Sequence, residues 1–437
     1  MLNSMFSRMS VVVAASLFWL SAPAHAIAVD AASYGFPLSN PFVATIATTP
    51  APLQPQDLPQ DKFIDQSDFS LSLHPDREFT LPDEFWAVKK FKYRLARQHQ
   101  AAPLIFIIAG TGSDYAAGSM EFLKRVYYQA GYHVVQLSSP TSYDFMSAAS
   151  RFATPGFSRE DARDLYRVMQ EIRNRHPDVE VTRYLLTGYS LGGLHAGFVS
   201  QLDSINQVFD FKRVLMINPP VNLFASVGQL DKLVNVSVRG VSDTQTFYDH
   251  IFSKLATFFR DRGGLRLDAA MLYEFQQSEQ GLTNEEMAML IGTVFRFAAS
   301  DIVFTSDLVN QRGLIVPPGK RLTNGTSLTP YFAQALQCNF NCYIRTQLLP
   351  FWRKRFDGED IKSLIEETGL AAIEEHLRDN PRIAVMTNAD DLILVPGDLA
   401  WLRAVFADRL TVYPSGGHLG NMNYRRNVAD MLAFFHE

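Results

Sequence analysis

The sequence predicts an α/β fold in which a mainly parallel central sheet carries helices on both faces and is interrupted by a helical insertion. Short apolar runs alternate with amphipathic segments from residue 91 to about residue 224, and again after residue 381. The run LIFIIA at residues 104–109 is apolar throughout, as expected for a strand that is covered on both faces. Of the 437 residues, 47% are hydrophobic and 19% charged, which is a globular composition.

Charge and cysteine content exclude several classes of protein. The 40 Lys and Arg residues are interspersed with 45 Asp and Glu residues, for a net charge of −5. No basic face is therefore available for nucleic acid or for an anionic membrane surface. Two cysteines are too few for a disulfide-dense scaffold.

Residues 1–26 are typical of a secretory signal. Arg8 supplies the positive charge, residues 11–20 form an apolar run, and the tripeptide AHA at residues 24–26 fits an A-x-A cleavage site. Cleavage after Ala26 would release a soluble protein into a bacterial periplasm or to the exterior. An uncleaved N-terminal anchor is the alternative, but the apolar run is shorter than the roughly 20 residues that span a bilayer. We expect no other membrane-spanning segment.

The remainder divides into three parts. Residues 27–85 form an N-terminal extension. Its residues 27–60 are without periodicity and are expected to be extended or partly mobile and to carry little chemistry. Residues 86–224 and 381–437 form the α/β core, and residues 225–380 form the helical insertion. Within the insertion, Thr283 and Glu286 form a capping box that predicts a helix running through Phe297.

The elements of the core follow from periodicity and from apolar runs. Strands are predicted at residues 91–97, 104–109, 133–137, 183–187, 213–218, 383–387 and 410–413. Helices are predicted at about residues 120–130, from Ser158 onward, and at residues 191–199, 396–407 and 424–435.

The strand at residues 183–187 and the helix after it enclose the motif GYSLG, residues 188–192. A serine nucleophile needs a sharp turn from strand to helix that exposes its hydroxyl above the sheet, and side chains in place of the flanking glycines would collide with backbone. The motif alone is weak evidence, but this context makes Ser190 the candidate nucleophile.

A base and an acid are predicted in the loops that follow later strands. His418 lies in GGHLG, residues 416–420, after the last strand, where an imidazole can accept the serine proton. Asp390 and Asp391 follow the preceding strand, and a carboxylate there can orient the imidazole and stabilise its charge. The alternative is that both aspartates only cap a turn.

With nucleophile, acid and histidine in this order, the chain resembles the α/β-hydrolase superfamily. The acid of that superfamily often occupies a G-x-x-D pattern, and here Asn388 replaces the glycine. Counting three residues onward favours Asp391, with Asp390 as the alternative acid. The resemblance also implies that the insertion is a lid over the nucleophile.

The resemblance further implies an oxyanion hole formed by the backbone N–H of Leu191 and by a second N–H from the loop at residues 109–113. Thr111 is the expected second donor. A glycine loop that cradles phosphate is the competing interpretation, but the G-x-x-x-x-G-K-[ST] pattern is absent from the sequence.

Cys338 and Cys342 are spaced so that they could pair in an oxidising compartment. Two buried thiols are the alternative. No nearby histidines complete a zinc site, so we expect no metal.

The resulting hypothesis is an exported serine hydrolase that cleaves a carboxylic ester of a small molecule through an acyl-enzyme, without a cofactor. An amidase, peptidase or thioesterase could use the same residues. A non-catalytic binding protein on this fold is a further alternative.

Overall fold

The computed structural model describes residues 26–74, 90–262, 274–278, 280–323 and 325–436. Except for Ala26, the predicted signal at residues 1–26 lies outside the described residues, as does the end of the N-terminal extension from residue 75 onward.

Within the described residues, nine strands form one sheet in the order β1-β9-β8-β7-β6-β4-β5-β3-β2. β2 and β3 pair antiparallel, as do β3 and β5, and the other neighbours are parallel. The mainly parallel sheet predicted from the sequence is therefore confirmed. The strands are β1 Ile27–Ala28, β2 Gln66–Leu71, β3 Phe91–Ala96, β4 Ala102–Ile108, β5 His133–Leu137, β6 Val181–Tyr189, β7 Arg213–Ile217, β8 Ile383–Asn388 and β9 Leu410–Tyr413.

Helices follow most of the core strands, and further helices lie between β7 and β8. The helices are α1 Ala31–Tyr34, α2 Pro41–Ala47, α3 Gly118–Gln129, α4 Tyr143–Ala148, α5 Ser158–Arg175, α6 Leu191–Asn206, α7 Leu223–Leu233, α8 Thr244–Arg262, α9 Asn284–Asn310, α10 Thr329–Gln337, α11 Phe340–Tyr343, α12 Leu349–Phe356, α13 Ile361–Thr368, α14 Glu374–Asp379, α15 Asp398–Phe406 and α16 Arg425–His436.

The apolar run in β4 explains why both faces of the sheet are covered. Successive side chains of a strand point to opposite faces. Phe106 and Ile108 belong to a core that includes Leu165 of α5, whereas Ile105 and Ile107 belong to a second core on the other face. These four side chains are all fully buried, so this part of β4 exposes neither face to water.

The capping box of α9 is present as predicted. The Thr283 hydroxyl accepts from the Glu286 N–H, and the Glu286 carboxylate accepts from the Thr283 N–H. The helix continues to Asn310, well beyond Phe297, because no Gly or Pro interrupts it after that residue. By length and composition alone this helix could also cross a membrane, although no further span was expected. Half of its most apolar window is buried inside the protein, and one such helix is weak evidence of a span.

The start of the N-terminal extension differs from the extended segment that was expected. It contains α1 and α2, and β1 adds a parallel strand to the edge of the sheet beside β9. Asn40 caps α2 by accepting from the N–H groups of Phe42 and Val43, and Pro41 occupies the first turn. A two-residue strand and two short helices leave too little periodicity for the sequence pattern to reveal them.

Candidate active site

Ser190 is the single residue between β6 and α6. Its backbone has φ 53° and ψ −125°, a conformation that residues other than glycine rarely adopt. The Ser190 N–H donates to the Ile217 carbonyl at the end of β7 over 2.8 Å, which ties this turn to the neighbouring strand. The side chain remains partly exposed at the carboxyl end of the sheet.

Close backbone approach explains the two glycines that flank the serine. A Cβ atom added to Gly188 would lie 2.2 Å from the Gly192 carbonyl oxygen. One added to Gly192 would lie 2.2 Å from the Ile108 carbonyl oxygen at the end of β4. Any side chain at either position would push backbone apart, so the turn requires the G-x-S-x-G pattern.

His418 lies in the loop after β9, between Ser190 and Asp391. Its Nε2 is 2.9 Å from Ser190 Oγ, and its Nδ1 is 2.9 Å from Asp391 Oδ1. With Nδ1–H donating to the carboxylate, Nε2 is left to accept the serine hydroxyl proton. Ser190 lies at a turn from strand to helix in a mainly parallel sheet, and this aspartate and this histidine follow it in chain order. This arrangement decides the architecture. The chain has the α/β-hydrolase fold.

Within this hydrolase fold, Asp391 is a buried and fully hydrogen-bonded carboxylate. Its residue is 7% exposed. Besides His418, the Asn218 side chain donates to Oδ2 over 2.7 Å and the Ile393 N–H donates to Oδ1 over 3.1 Å. These donors offset the cost of burying a charge and fix the orientation of the carboxylate.

Asp390, the alternative acid, faces the histidine loop differently. Its carboxylate accepts from the backbone N–H groups of Gly417, over 2.9 Å, and Gly416, over 3.2 Å. Burial raises the pKa of Asp390 in spite of these two hydrogen bonds. The structure thus brings Asp391 to the His418 ring and uses Asp390 to hold the backbone just before it.

The loop after β4 lies beside Ser190, where the sequence analysis expected a second backbone donor. A Cβ atom added to Gly110 would lie 3.3 Å from the Cβ of Ser190. The next residues of this loop are Thr111 and Gly112, and the Gly112 N–H donates to Thr141 Oγ1 over 2.8 Å. Leu191 is the first residue of α6, where backbone N–H groups have no partner within the helix.

Three contacts of this site were missed by sequence reasoning. They are those of Asn218 with Asp391, Thr141 with Gly112, and Thr45 with His418. Only Asn218 had a usable signal, because it is the last residue of a predicted strand, at the edge of the sheet where the other site residues lie.

Cys338 and Cys342 form a disulfide between the end of α10 and α11. In the part of the chain that the structure describes, no group of three or more His, Cys, Asp or Glu side chains is arranged to hold a metal ion.

Known proteins were compared with the chain by sequence and by structure. No family model matches it, and no curated protein does. The thioesterase domain from the curacin biosynthetic pathway aligns over 85% of this chain and 99% of its own length, at 15% identity and a TM-score of 0.37. An esterase of Pyrococcus furiosus aligns over 88% and 98%, at 8% identity and a TM-score of 0.41. A peroxisomal α/β-hydrolase of Saccharomyces cerevisiae aligns over 87% and 89%, at 13% identity and a TM-score of 0.41. Similarities this low say nothing about what this chain acts on.

Proposed function

We propose that this protein is an exported serine hydrolase that cleaves a carboxylic ester through an acyl-enzyme intermediate. The single observation that carries the proposal is the hydrogen-bonded series Ser190, His418, Asp391, with 2.9 Å at each of its two links. Such distances allow direct proton transfer between the serine and the imidazole.

In the proposed mechanism, Ser190 Oγ attacks the acyl carbon while His418 Nε2 takes its proton. The negative charge that develops on the carbonyl oxygen is held by the backbone N–H groups of Leu191 and Thr111. The tetrahedral intermediate then collapses, its C–O bond breaks, and His418 returns the proton to the departing alcohol. Water next attacks the acyl-enzyme with His418 again acting as base, which releases the acid and restores Ser190.

Asp391 has two proposed roles. It keeps the proton of the neutral imidazole on Nδ1, so that Nε2 points to the serine, and it stabilises the imidazolium that forms after proton transfer. The hydrogen bonds from Asn218 and Ile393 support both roles, because they hold the carboxylate in one orientation while it bears charge.

The lid and the export signal belong to the same proposal. We place the lid at residues 225–380, and the position of α9 supports this, since a Cβ atom added to Gly112 would lie 3.3 Å from the Cβ of Ala298. The signal at residues 1–26 supports a periplasmic or secreted enzyme. N-terminal sequencing of the exported protein tests the export part, and we expect Ile27 as its first residue.

Labelling with a fluorophosphonate, followed by peptide mapping, tests the nucleophile. We expect one adduct per chain, on Ser190, and no adduct in the Ser190→Ala variant. The Ser204→Ala variant is the matched control, because this exposed serine lies on α6 away from the turn. A folded wild-type protein that acquires no adduct, or acquires it elsewhere, would refute the proposal.

Matched substrates test the reaction class. Acetyl and butyryl groups joined to the same aromatic leaving group through an ester, a thioester or an amide separate the three classes of acyl bond. We expect the highest kcat/KM for the esters. A higher value for the amides or the thioesters would move the proposal to an amidase or a thioesterase with the same residues.

A further inference from the structure

The N-terminal arm, residues 27–49, contacts the loop that carries His418. Thr45 on α2 makes the central contact, because its Oγ1 accepts a hydrogen bond from the His418 backbone N–H over 2.9 Å. The same hydroxyl donates to the Pro41 carbonyl one turn earlier over 2.7 Å. Both hydrogen-bonding roles of the hydroxyl are therefore in use, and its orientation is fixed.

The arm and the histidine loop, residues 416–421, meet backbone to backbone. A Cβ atom added to Gly417 would lie 2.2 Å from the Pro41 carbonyl oxygen, and one added to Gly420 would lie 2.1 Å from the Ala44 carbonyl oxygen. No side chain larger than hydrogen fits at either position. The glycines on both sides of His418 thus leave room for α2 rather than for a substrate.

Further hydrogen bonds hold the loop beyond His418. Thr49 Oγ1 donates to the Gly420 carbonyl over 2.8 Å. The Tyr34 hydroxyl accepts from the Asn421 side chain and donates to Asn427 Oδ1, each over 2.7 Å. Burial raises the pKa of Tyr34 well above its ordinary value, so the hydroxyl remains a proton donor at any physiological pH. The loop is consequently held by the arm at three successive points.

The arm is itself anchored at two places. Its first residues form β1, which pairs Ile27 with Thr411 and Ala28 with Val412 of β9, the strand that leads into the histidine loop. Further along, the Asn40 side chain donates to the Asn284 side chain at the start of α9 over 2.8 Å. The arm therefore joins the sheet, the histidine loop and the lid.

We infer that the N-terminal arm is part of the active site and that Thr45 is a positioning residue for His418. The inference rests on the proposed function, in which His418 is the general base. A loop containing Gly416, Gly417 and Gly420 has unusual backbone freedom, and the hydrogen bond to Thr45 confines the backbone of His418 itself. A displacement of about 1 Å at a catalytic group can lower a rate by about 100-fold, so this restraint matters for catalysis.

Substitution of the Thr45 hydroxyl tests the inference. Thr45→Val keeps the shape of the side chain but removes the acceptor, and Thr45→Ser keeps the acceptor. With an aryl butyrate ester, we expect Thr45→Val to lower kcat by about 10- to 100-fold with KM within about twofold of wild type. Thr45→Ser should keep kcat within about threefold, which separates the role of the hydroxyl from that of the methyl group. Thr182→Val is the matched control at an exposed threonine on β6, outside the arm, and should behave as wild type.

Amide hydrogen exchange gives a second readout that needs no substrate. In Thr45→Val, peptides covering the histidine loop should exchange faster by about tenfold or more, while peptides from β4 and β6 remain protected. A Thr45→Val variant that keeps more than half of wild-type kcat and shows normal protection of the histidine loop would overturn the inference about Thr45 but not the proposed function. Equal losses in Thr45→Ser and Thr45→Val would also overturn it. A folded wild type that neither turns over esters nor labels at Ser190 would overturn the proposed function and, with it, the catalytic role of the arm.

Discussion

Asn218 donates its side-chain N–H to Oδ2 of Asp391 over 2.7 Å. Asn218 follows β7 directly and has φ 46°, a left-handed conformation that asparagine tolerates better than most residues. The neighbouring strand β8 leads into the loop of Asp391, so two adjacent strand ends bring the two side chains together. The Asp391 carboxylate therefore contacts His418 through Oδ1 and accepts from the Asn218 amide through Oδ2.

Removal of this amide should slow catalysis without weakening substrate binding. Asn218→Gly tolerates the left-handed backbone but lacks the donor. A hydrogen bond to a charged group contributes about 1.5–3 kcal/mol, so we expect kcat to fall by about 10- to 100-fold while KM changes little. Asn218→Asp should be at least as damaging at neutral pH, because it places a second carboxylate against Asp391. Steady-state kinetics with one ester checks both variants, and an unchanged kcat in Asn218→Gly would contradict this role.

Substitution of Asp391 and substitution of Asp390 should have very different effects on kcat and on the free energy of unfolding. Asp391→Asn should lower kcat by about 10⁴-fold with little effect on folding, because the amide favours the wrong tautomer of His418. Asp390→Asn should lower kcat by less than about tenfold, but it should lower the free energy of unfolding by about 1–3 kcal/mol through weaker hydrogen bonds to Gly416 and Gly417. Kinetics and urea unfolding measured on both variants test this division. The opposite ranking in kcat would assign the acid role to Asp390.

The features that the sequence predicted correctly depend on residues that are close together in the chain. The apolar run of β4, the capping box of Thr283 and Glu286, and the glycines beside Ser190 each depend on a few neighbouring residues. The contacts that the sequence did not predict join residues that are far apart in the chain. Thr45 lies 373 positions from His418 in the chain, and no periodicity at either end signals their contact.

The disulfide between Cys338 and Cys342 should be present in protein recovered from an oxidising compartment. Alkylation before reduction should modify no thiol, and alkylation after reduction should modify two, because these are the only cysteines in the chain. The loop that it closes is short, so replacing both cysteines with serine should lower the free energy of unfolding by only about 2 kcal/mol. Intact mass and urea unfolding measure these effects. Two free thiols before reduction would contradict the pairing.

Glu286 should make the start of α9 sensitive to acid. Burial by itself raises the pKa of this carboxyl, but hydrogen bonds from Lys254, His250 and the Thr283 backbone outweigh burial and hold the pKa below its ordinary value of 4.5. A carboxyl whose pKa is lower in the folded protein stabilises the fold above its unfolded pKa. That stabilisation is lost as the pH falls through the folded pKa.

Urea unfolding of Glu286→Gln at several pH values checks this expectation. At pH 7 the variant should be less stable than wild type by about 1–3 kcal/mol, because charged hydrogen bonds are lost. The difference should shrink as the pH falls from 4.5 through the lower folded pKa, because Glu286 is protonated first in the unfolded chain and then in the folded protein. Glu285→Gln is the matched control, since Glu285 is exposed on the same turn and should give a small difference at every pH. A stability difference for Glu286→Gln that stays constant from pH 7 to below the folded pKa would show that its charge does not stabilise the helix start.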